Sequence, residues 1–208
     1  QGDSGSIYTH NVSGTDSTAT DNTAYGLTAL DAITTGDNNS AFGHDALGAN
    51  TTGGENTAVG QRALATNTTA SDNVGVGHSA LESNTTGANN VAVGKNSLAA
   101  NTTAANNTAV GYDALNANTT GTNNTSVGKD SLKLNTTTSN NTAVGNQSLS
   151  KTVAADNTGV GYLALVENTT GTNNVAVGST AMYANTTGAS NVAIGYTAMQ
   201  ENTTGTRN

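Results

Sequence analysis

The side chains that most often carry chemistry in proteins are few in this sequence and widely separated. His44 and His78 each follow a glycine and occupy equivalent positions two repeats apart in the pattern described below. If each repeat advances by one strand spacing of a β-sheet, about 10 Å separates them, which is too far for one shared metal ion. His10 stands apart near the start, so we expect surface histidines and no metal site.

The carboxylates are also scattered. Four of them replace the first member of a recurring Asn-Asn pair, a substitution that a turn tolerates: Asp21, Glu55, Asp72 and Asp156. Three more lie beside neutral or basic positions of the neighbouring repeats: Asp45, Asp113 and Asp130. For Asp3, Asp16 and Asp21 we weighed a calcium site against a solvated polar segment and expect the latter. No nucleophile–histidine–acid set and no pair of carboxylates emerges, so we predict no enzyme activity and no cofactor.

Asn-Thr-Thr triplets recur along the chain and match the sequon for N-glycosylation, for example at Asn84, Asn101 and Asn118. The same triplets can serve as turns whose side chains form hydrogen-bonded ladders, and we favour that interpretation over glycan attachment. A regular threonine array is also reminiscent of ice-binding solenoids. Adjacent threonines on a strand point to opposite sides, however, so ice binding is only an alternative.

Composition limits both the core and the partners of this chain. Only 34% of the 208 residues are hydrophobic, with one Phe and no Trp, so Ala, Val and Leu must form a thin core. The formal net charge of −8 and six basic residues disfavour a nucleic-acid partner. No apolar run approaches the roughly 20 residues that span a bilayer. Cysteine is absent, which excludes disulfides and thiolate metal sites.

A 17-residue repeat organises the chain from residue 22 onward. Each unit contains an Asn followed four residues later by Gly, as in Asn90-Val91-Ala92-Val93-Gly94, and a Leu or Met four residues after that glycine. One unit, which contains the stretch SKTVAAD, is a residue shorter. The positions just after the glycine vary and form what we call the variable strip, which includes Lys95, Tyr112, Lys129, Tyr162 and Tyr196.

The pattern favours strands over helices, because Val and Thr suit strands and a period of 17 is too short for a helical hairpin. We therefore predict an all-β fold, a parallel β-solenoid with 17-residue coils and two short strands per coil. The stacked core columns are predicted to be Val59, Val76, Val93, Val110, Val127 and Val144 together with Leu64, Leu81, Leu98, Leu115, Leu132 and Leu149. The predicted corner ladder consists of Asn56, Asn73, Asn90, Asn107, Asn124 and Asn141.

The sequence divides into an irregular lead-in, residues 1–21, and eleven coils, residues 22–208. Because solenoid ends expose strand edges, we expect the ends to take part in assembly, with the lead-in acting as a cap or as a segment inserted between subunits. The residues assigned to this role are Ile7, Tyr8, Tyr25, Phe42, Asn191, Ile194 and Asn208.

The string Asn90-Val91-Ala92-Val93-Gly94, followed by Ser97-Leu98, resembles the head repeats of trimeric autotransporter adhesins. It resembles even more the N-T-A-V-G-x-x-A-L-x-x-N-T-T-G repeats of phage tail-fibre-like and bacterial surface proteins. The resemblance covers residues 22–208 and implies β-rolls, trimers and attachment to host surfaces. The repeat here is longer than the usual adhesin head repeat.

These observations lead us to expect a structural protein, secreted or exposed on a cell or virion surface. It would be the subunit of an extracellular filament or fibre shaft that associates with copies of itself, head to tail or as a trimer. A surface adhesin or phage tail-fibre module that binds host glycans through the variable strip is one alternative, and an ice-binding solenoid is another.

Overall fold

The computed structural model describes residues 7–8 and 18–208 of the chain. Within these residues the protein is all-β and forms a parallel β-solenoid with coils of about 17 residues. Each strand joins the next one along the chain, so a single parallel sheet runs the length of the solenoid. The strands are β1 (Ile7–Tyr8), β2 (Thr23–Tyr25), β3 (Ser40–Phe42), β4 (Thr57–Val59), β5 (Val74–Val76), β6 (Val91–Val93), β7 (Thr108–Val110), β8 (Thr125–Val127), β9 (Thr142–Val144), β10 (Thr158–Val160), β11 (Val175–Val177) and β12 (Val192–Ile194). The described part of the chain has no helix long and apolar enough to cross a membrane.

The register of the sheet places equivalent repeat positions on top of one another. Val91 of β6 pairs with Thr108 of β7, and Val93 pairs with Val110. The register continues through the short unit, where Thr142 of β9 pairs with Thr158 of β10. Strand β1 lies inside the lead-in and pairs with β2, so the sheet begins before residue 22.

The core is formed by the middle residue of each strand and by the leucine column. The six predicted leucines, Leu64 to Leu149, are fully buried, and so is Ala92, the middle residue of β6. The six valines predicted to share this core lie outside it. Val59, Val76, Val93, Val110, Val127 and Val144 are the last residues of their strands, and they are exposed or only partly buried.

The small distance between the two walls of a coil explains why alanine, and not valine, lies in the core. Strand residues alternate between two faces, so Ala92 must point away from Val91 and Val93. Inside the coil the leucine of the opposite wall leaves room for a small side chain only. A Cβ added at Gly75, the middle of β5, would lie 3.2 Å from Leu64 Cγ. Ala therefore points inward and Val outward.

The second wall of each coil is a series of turns, where the sequence predicted a second strand. Asn96 and Leu98 both have left-handed backbones, with φ of 58° and 49°. Asn96 N donates to His78 O of the preceding coil, and Leu98 N donates to Ala114 O of the following coil. The wall is thus hydrogen-bonded in both directions although its backbone is not extended.

The glycine that ends each strand is required by its conformation and by its neighbour. Gly94 has a φ of 130°, a region that residues with a side chain rarely adopt. A Cβ added there would lie 2.5 Å from Gly111 O in the next coil. Glycine therefore stacks on glycine along the solenoid.

Candidate interaction surface

The outward-pointing residues of the sheet form a continuous surface, which we call the outer strand face. It consists of the first and third residues of β2 to β12. These are Thr23, Tyr25, Ser40, Phe42, Thr57, Val59, Val74, Val76, Val91, Val93, Thr108, Val110, Thr125, Val127, Thr142, Val144, Thr158, Val160, Val175, Val177, Val192 and Ile194. Adjacent strands are about 4.8 Å apart, so these side chains form two regular rows.

The outer strand face carries no Lys, Arg, Asp or Glu: the row of third strand residues is aliphatic or aromatic throughout, and the row of first strand residues is mostly Thr or Ser with four Val. Part of the large side chains is open to solvent: Val59 is 39% exposed, Tyr25 65% and Ile194 72%. Isolated apolar residues are normal on protein surfaces, whereas a contiguous apolar patch is typical of an interaction site. This face is therefore the strongest candidate for contact with another molecule.

The residues that the sequence assigned to assembly lie in three places. Tyr25, Phe42 and Ile194 belong to the outer strand face, and their side chains lie outside the core. Asn191 and Asn208 belong to the corner ladder, where Asn208 N donates to Asn191 Oδ1 at 3.0 Å. Ile7 and Tyr8 form β1.

The predicted corner ladder joins each coil to the next through buried amides. Asn90 is fully buried, and its Nδ2 donates to Asn73 Oδ1 at 3.2 Å and to Ala104 O at 2.8 Å. Its Oδ1 accepts from Asn107 N at 3.0 Å. The same pattern recurs at Asn56, Asn73, Asn107, Asn124 and Asn141, where the Oδ1 atom accepts from the backbone of the following coil.

A second asparagine ladder occupies the Asn-Thr-Thr corner, whose triplets also match the N-glycosylation sequon. Asn84, Asn101 and Asn118 are fully buried. Each Nδ2 donates to the Oδ1 of the preceding ladder member, at 2.9 Å for Asn84 and Asn101 and 3.1 Å for Asn118. A glycan on these nitrogens is incompatible with this fold, because the nitrogen is enclosed and both of its N–H groups are in use.

The variable strip runs along the turn-rich wall. Lys95, Tyr112 and Lys129 lie on three successive coils, and Tyr162 and Tyr196 follow further along the same row. The three tyrosines are exposed. Tyr112 and Tyr162 are three coils apart, about 14 Å on strand spacing, so the rings are separate contact points.

An ion-pair cluster that sequence reasoning missed lies beside this strip. Lys133 Nζ contacts Asp130 Oδ1 at 2.8 Å and Asp113 Oδ2 at 3.0 Å, and Asn96 Nδ2 donates to the other oxygen of Asp113 at 3.0 Å. The hydrogen bonds to Asp130 and Asp113 raise the pKa of Lys133 to about 12. The only sequence signal was the spacing of Asp130 and Lys133. The cluster links three coils, which indicates a structural role.

The histidines and carboxylates are not gathered into a site in the described part of the chain. His44 and His78 are both exposed. Residues 7–8 and 18–208 contain no group of three or more His, Cys, Asp or Glu side chains that could hold a metal ion. His10, Asp3 and Asp16 lie outside the described residues, and Asp21 is an exposed turn residue.

Fold and surface together define a parallel β-solenoid with an uncharged sheet face that carries one continuous apolar row. No family model, no curated protein and no solved structure matches the chain.

Proposed function

We propose that this protein is structural and forms the shaft of an extracellular fibre, in which copies of the solenoid associate side by side through the outer strand face. The observation that supports this most is the unbroken row of aliphatic and aromatic side chains at the third position of β2 to β12. Covering Val and Ile side chains removes apolar area from water, which stabilises association by roughly 25 cal/mol per Å². The resemblance to surface and fibre repeats supports an extracellular location.

The regular register of the face suits an identical partner. Its rows repeat at the strand spacing, so a second copy presents the same period of about 4.8 Å. Eleven strands at this spacing give a contact strip roughly 50 Å long. A dimer or a trimer of rods would each cover such strips, and head-to-tail growth by strand addition would lengthen the fibre.

The test compares a lysine placed on the outer strand face with one placed elsewhere. We expect the wild-type chain to sediment as an oligomer, and Val93→Lys to sediment as a monomer because association would bury an unpaired charge. Gln61→Lys adds the same charge at an exposed position of the variable strip and should associate like the wild type. Circular dichroism checks that both variants fold.

Two outcomes of analytical ultracentrifugation would overturn side-by-side association. One is a wild-type chain that stays monomeric at every concentration, and the other is a Val93→Lys variant that associates as strongly as the wild type. Electron micrographs of the same samples test head-to-tail growth, since it requires rods that lengthen with concentration.

Glycan binding by the variable strip is a second candidate, favoured by the exposed rings of Tyr112, Tyr162 and Tyr196. Exposed aromatic rings can pack against apolar faces of other molecules while their hydroxyls stay hydrated. Glycan-array binding that disappears in Tyr112→Ala would favour this role. Ice binding has weaker support, because Thr51 Oγ1 donates to Thr68 O and is therefore engaged within the protein.

A further inference from the structure

The Asn-Thr-Thr corners are joined by the same hydrogen bonds in most coils. At a regular corner, Asn84 Nδ2 donates to Asn67 Oδ1 and to Gly87 O, both at 2.9 Å. The backbone adds a bond from Thr85 N to Thr102 O in the next coil, also at 2.9 Å. Each corner is thus connected to its neighbours through side chains and through the main chain.

These connections are reduced between residues 135–138 and 152–155, where the hydrogen bond from Thr138 Oγ1 to Ala154 O at 3.2 Å is the one that still joins the two corners in the described part of the chain. Asn135 Nδ2 donates to Thr138 O at 2.9 Å, and Thr138 Oγ1 donates to Asn135 Oδ1. The nitrogen and the oxygen of the Asn135 side-chain amide therefore both bond within their own coil. Asn118 Oδ1, which would accept from Asn135 in a regular ladder, is buried without a partner. Among the described residues, no hydrogen bond joins Thr136 N to the coil that follows.

The short coil also lacks a side-chain hydrogen bond to the corner that follows it. Asn157 Nδ2 donates to Ala155 O at 3.0 Å, within its own coil. The equivalent Asn174 Nδ2 instead donates to Gly188 O at 2.8 Å in the following corner. The sheet itself continues unbroken, because β9 pairs with both β8 and β10 in full register. The interruption is therefore confined to one side of the solenoid.

The sequence explains the position of this interruption. Thr138 stands where other coils have Gly or Ala, and its hydroxyl occupies the Asn135 amide. The next coil is one residue short and has Thr152 at the ladder position. Asn168 Nδ2 donates to Thr152 Oγ1 at 3.0 Å, so the ladder resumes beyond it. Lys151 pairs with Glu167 at 2.7 Å on the surface, where ion pairs contribute little.

We infer that these two corners, residues 135–138 and 152–155, form a one-sided seam at which the solenoid opens before any other internal corner, with the strands of β9 and β10 acting as the hinge. Opening at the seam breaks fewer hydrogen bonds than opening elsewhere. Repeat proteins are coupled only between neighbouring units, so a weak interface separates two cooperative blocks. The seam gives the rod a fixed place at which to bend or to begin unfolding.

Hydrogen exchange of the full chain, read by mass spectrometry at peptide level, tests the seam. Each missing cross-coil bond lowers the free energy of opening, so amides of residues 136–138 should exchange about tenfold faster or more than those of residues 85–87 and 102–104. Asn67→Thr copies the ladder residue Thr152 into a regular corner. It should create a second fast-exchanging corner while the seam keeps its own rate.

Equal protection at residues 136–138 and 85–87 in the wild type would overturn the inference. So would an Asn67→Thr corner that remains as protected as the corner at Asn84, because the ladder would then contribute nothing to corner stability. Both readings are independent of whether the rods associate.

Discussion

Leu98 combines full burial with a backbone conformation that is unfavourable for leucine. Its φ of 49° costs roughly 1–2 kcal/mol, whereas burying a leucine side chain gains about 1.5–3 kcal/mol. Burial of the leucine therefore offsets the strain of its backbone. Val93 has the opposite arrangement, with relaxed strand geometry and a side chain on the outer strand face.

Truncating these two side chains should have unequal effects on stability. Leu98→Ala leaves a cavity in the core and should lower the free energy of unfolding by about 2–5 kcal/mol. Val93→Ala should change it by less than about 1 kcal/mol in the dissociated rod, because the side chain is already partly in water. Urea denaturation at a concentration where the rods are monomeric measures both, and equal losses would place the valine in the core after all.

At the scale of the coil, the asparagine ladders do more than close turns. Asn90 connects three coils, since it bonds to Asn73, to Ala104 and to the backbone of Asn107. Buried amides are costly unless their hydrogen bonds are made, so each ladder member depends on its neighbours. The neighbouring Asn89 is exposed, lies in the left-handed turn with a φ of 59°, and joins the preceding coil through its backbone N, which donates to Ser71 O.

The ladder can be tested with two adjacent asparagines. Asn90→Ala should lower the free energy of unfolding by about 1–3 kcal/mol, because it leaves the buried Asn107 N without its acceptor and removes two further amide hydrogen bonds. Asn89→Gly keeps the left-handed turn accessible and should have little effect. Thermal unfolding of both variants gives the comparison. If Asn89→Gly is as damaging as Asn90→Ala, the ladder is not the source of corner stability.

The sequence predicted those parts of a coil that are determined by residue type and spacing alone. Gly94 and Asn90 recur at fixed spacing, and their roles in a tight turn and a stacked ladder follow from their chemistry. Alternation also separated Ala92 from Val93, but it does not say which face is inward. Which face is inward depends on the space that Leu64 and its counterparts leave beside the strand. That distance between the two walls cannot be derived from a single sequence.

The second wall and the ion-pair cluster were missed for related reasons. Leucine rarely adopts a left-handed backbone, so nothing in the residue type of Leu98 signals a turn. Lys133 and Asp113 are far apart in sequence and meet only because coils stack. Threonine in place of asparagine at position 152 was visible as an irregularity. The effect of Thr138 on the amide of Asn135, and through it on Asn118, depends on how the coils stack.

The described part of the chain is a stack in which most coils repeat the contacts of the one before. Its sheet, leucine column and two asparagine ladders all run parallel to one axis, and the outer strand face lies along the same axis. This makes the chain suited to a fibre shaft, because length is added in equal steps and a lateral partner meets the same period. The seam is the one departure described above.

X-ray fibre diffraction from aligned rods tests the axial stacking of coils most directly. Strand spacing along the rod predicts a strong reflection near about 4.8 Å on the meridian, because successive coils are hydrogen-bonded along the axis. The same spacing on the equator would mean that the repeats lie side by side. A dominant reflection near about 5.4 Å would indicate helices, and either result would contradict the solenoid.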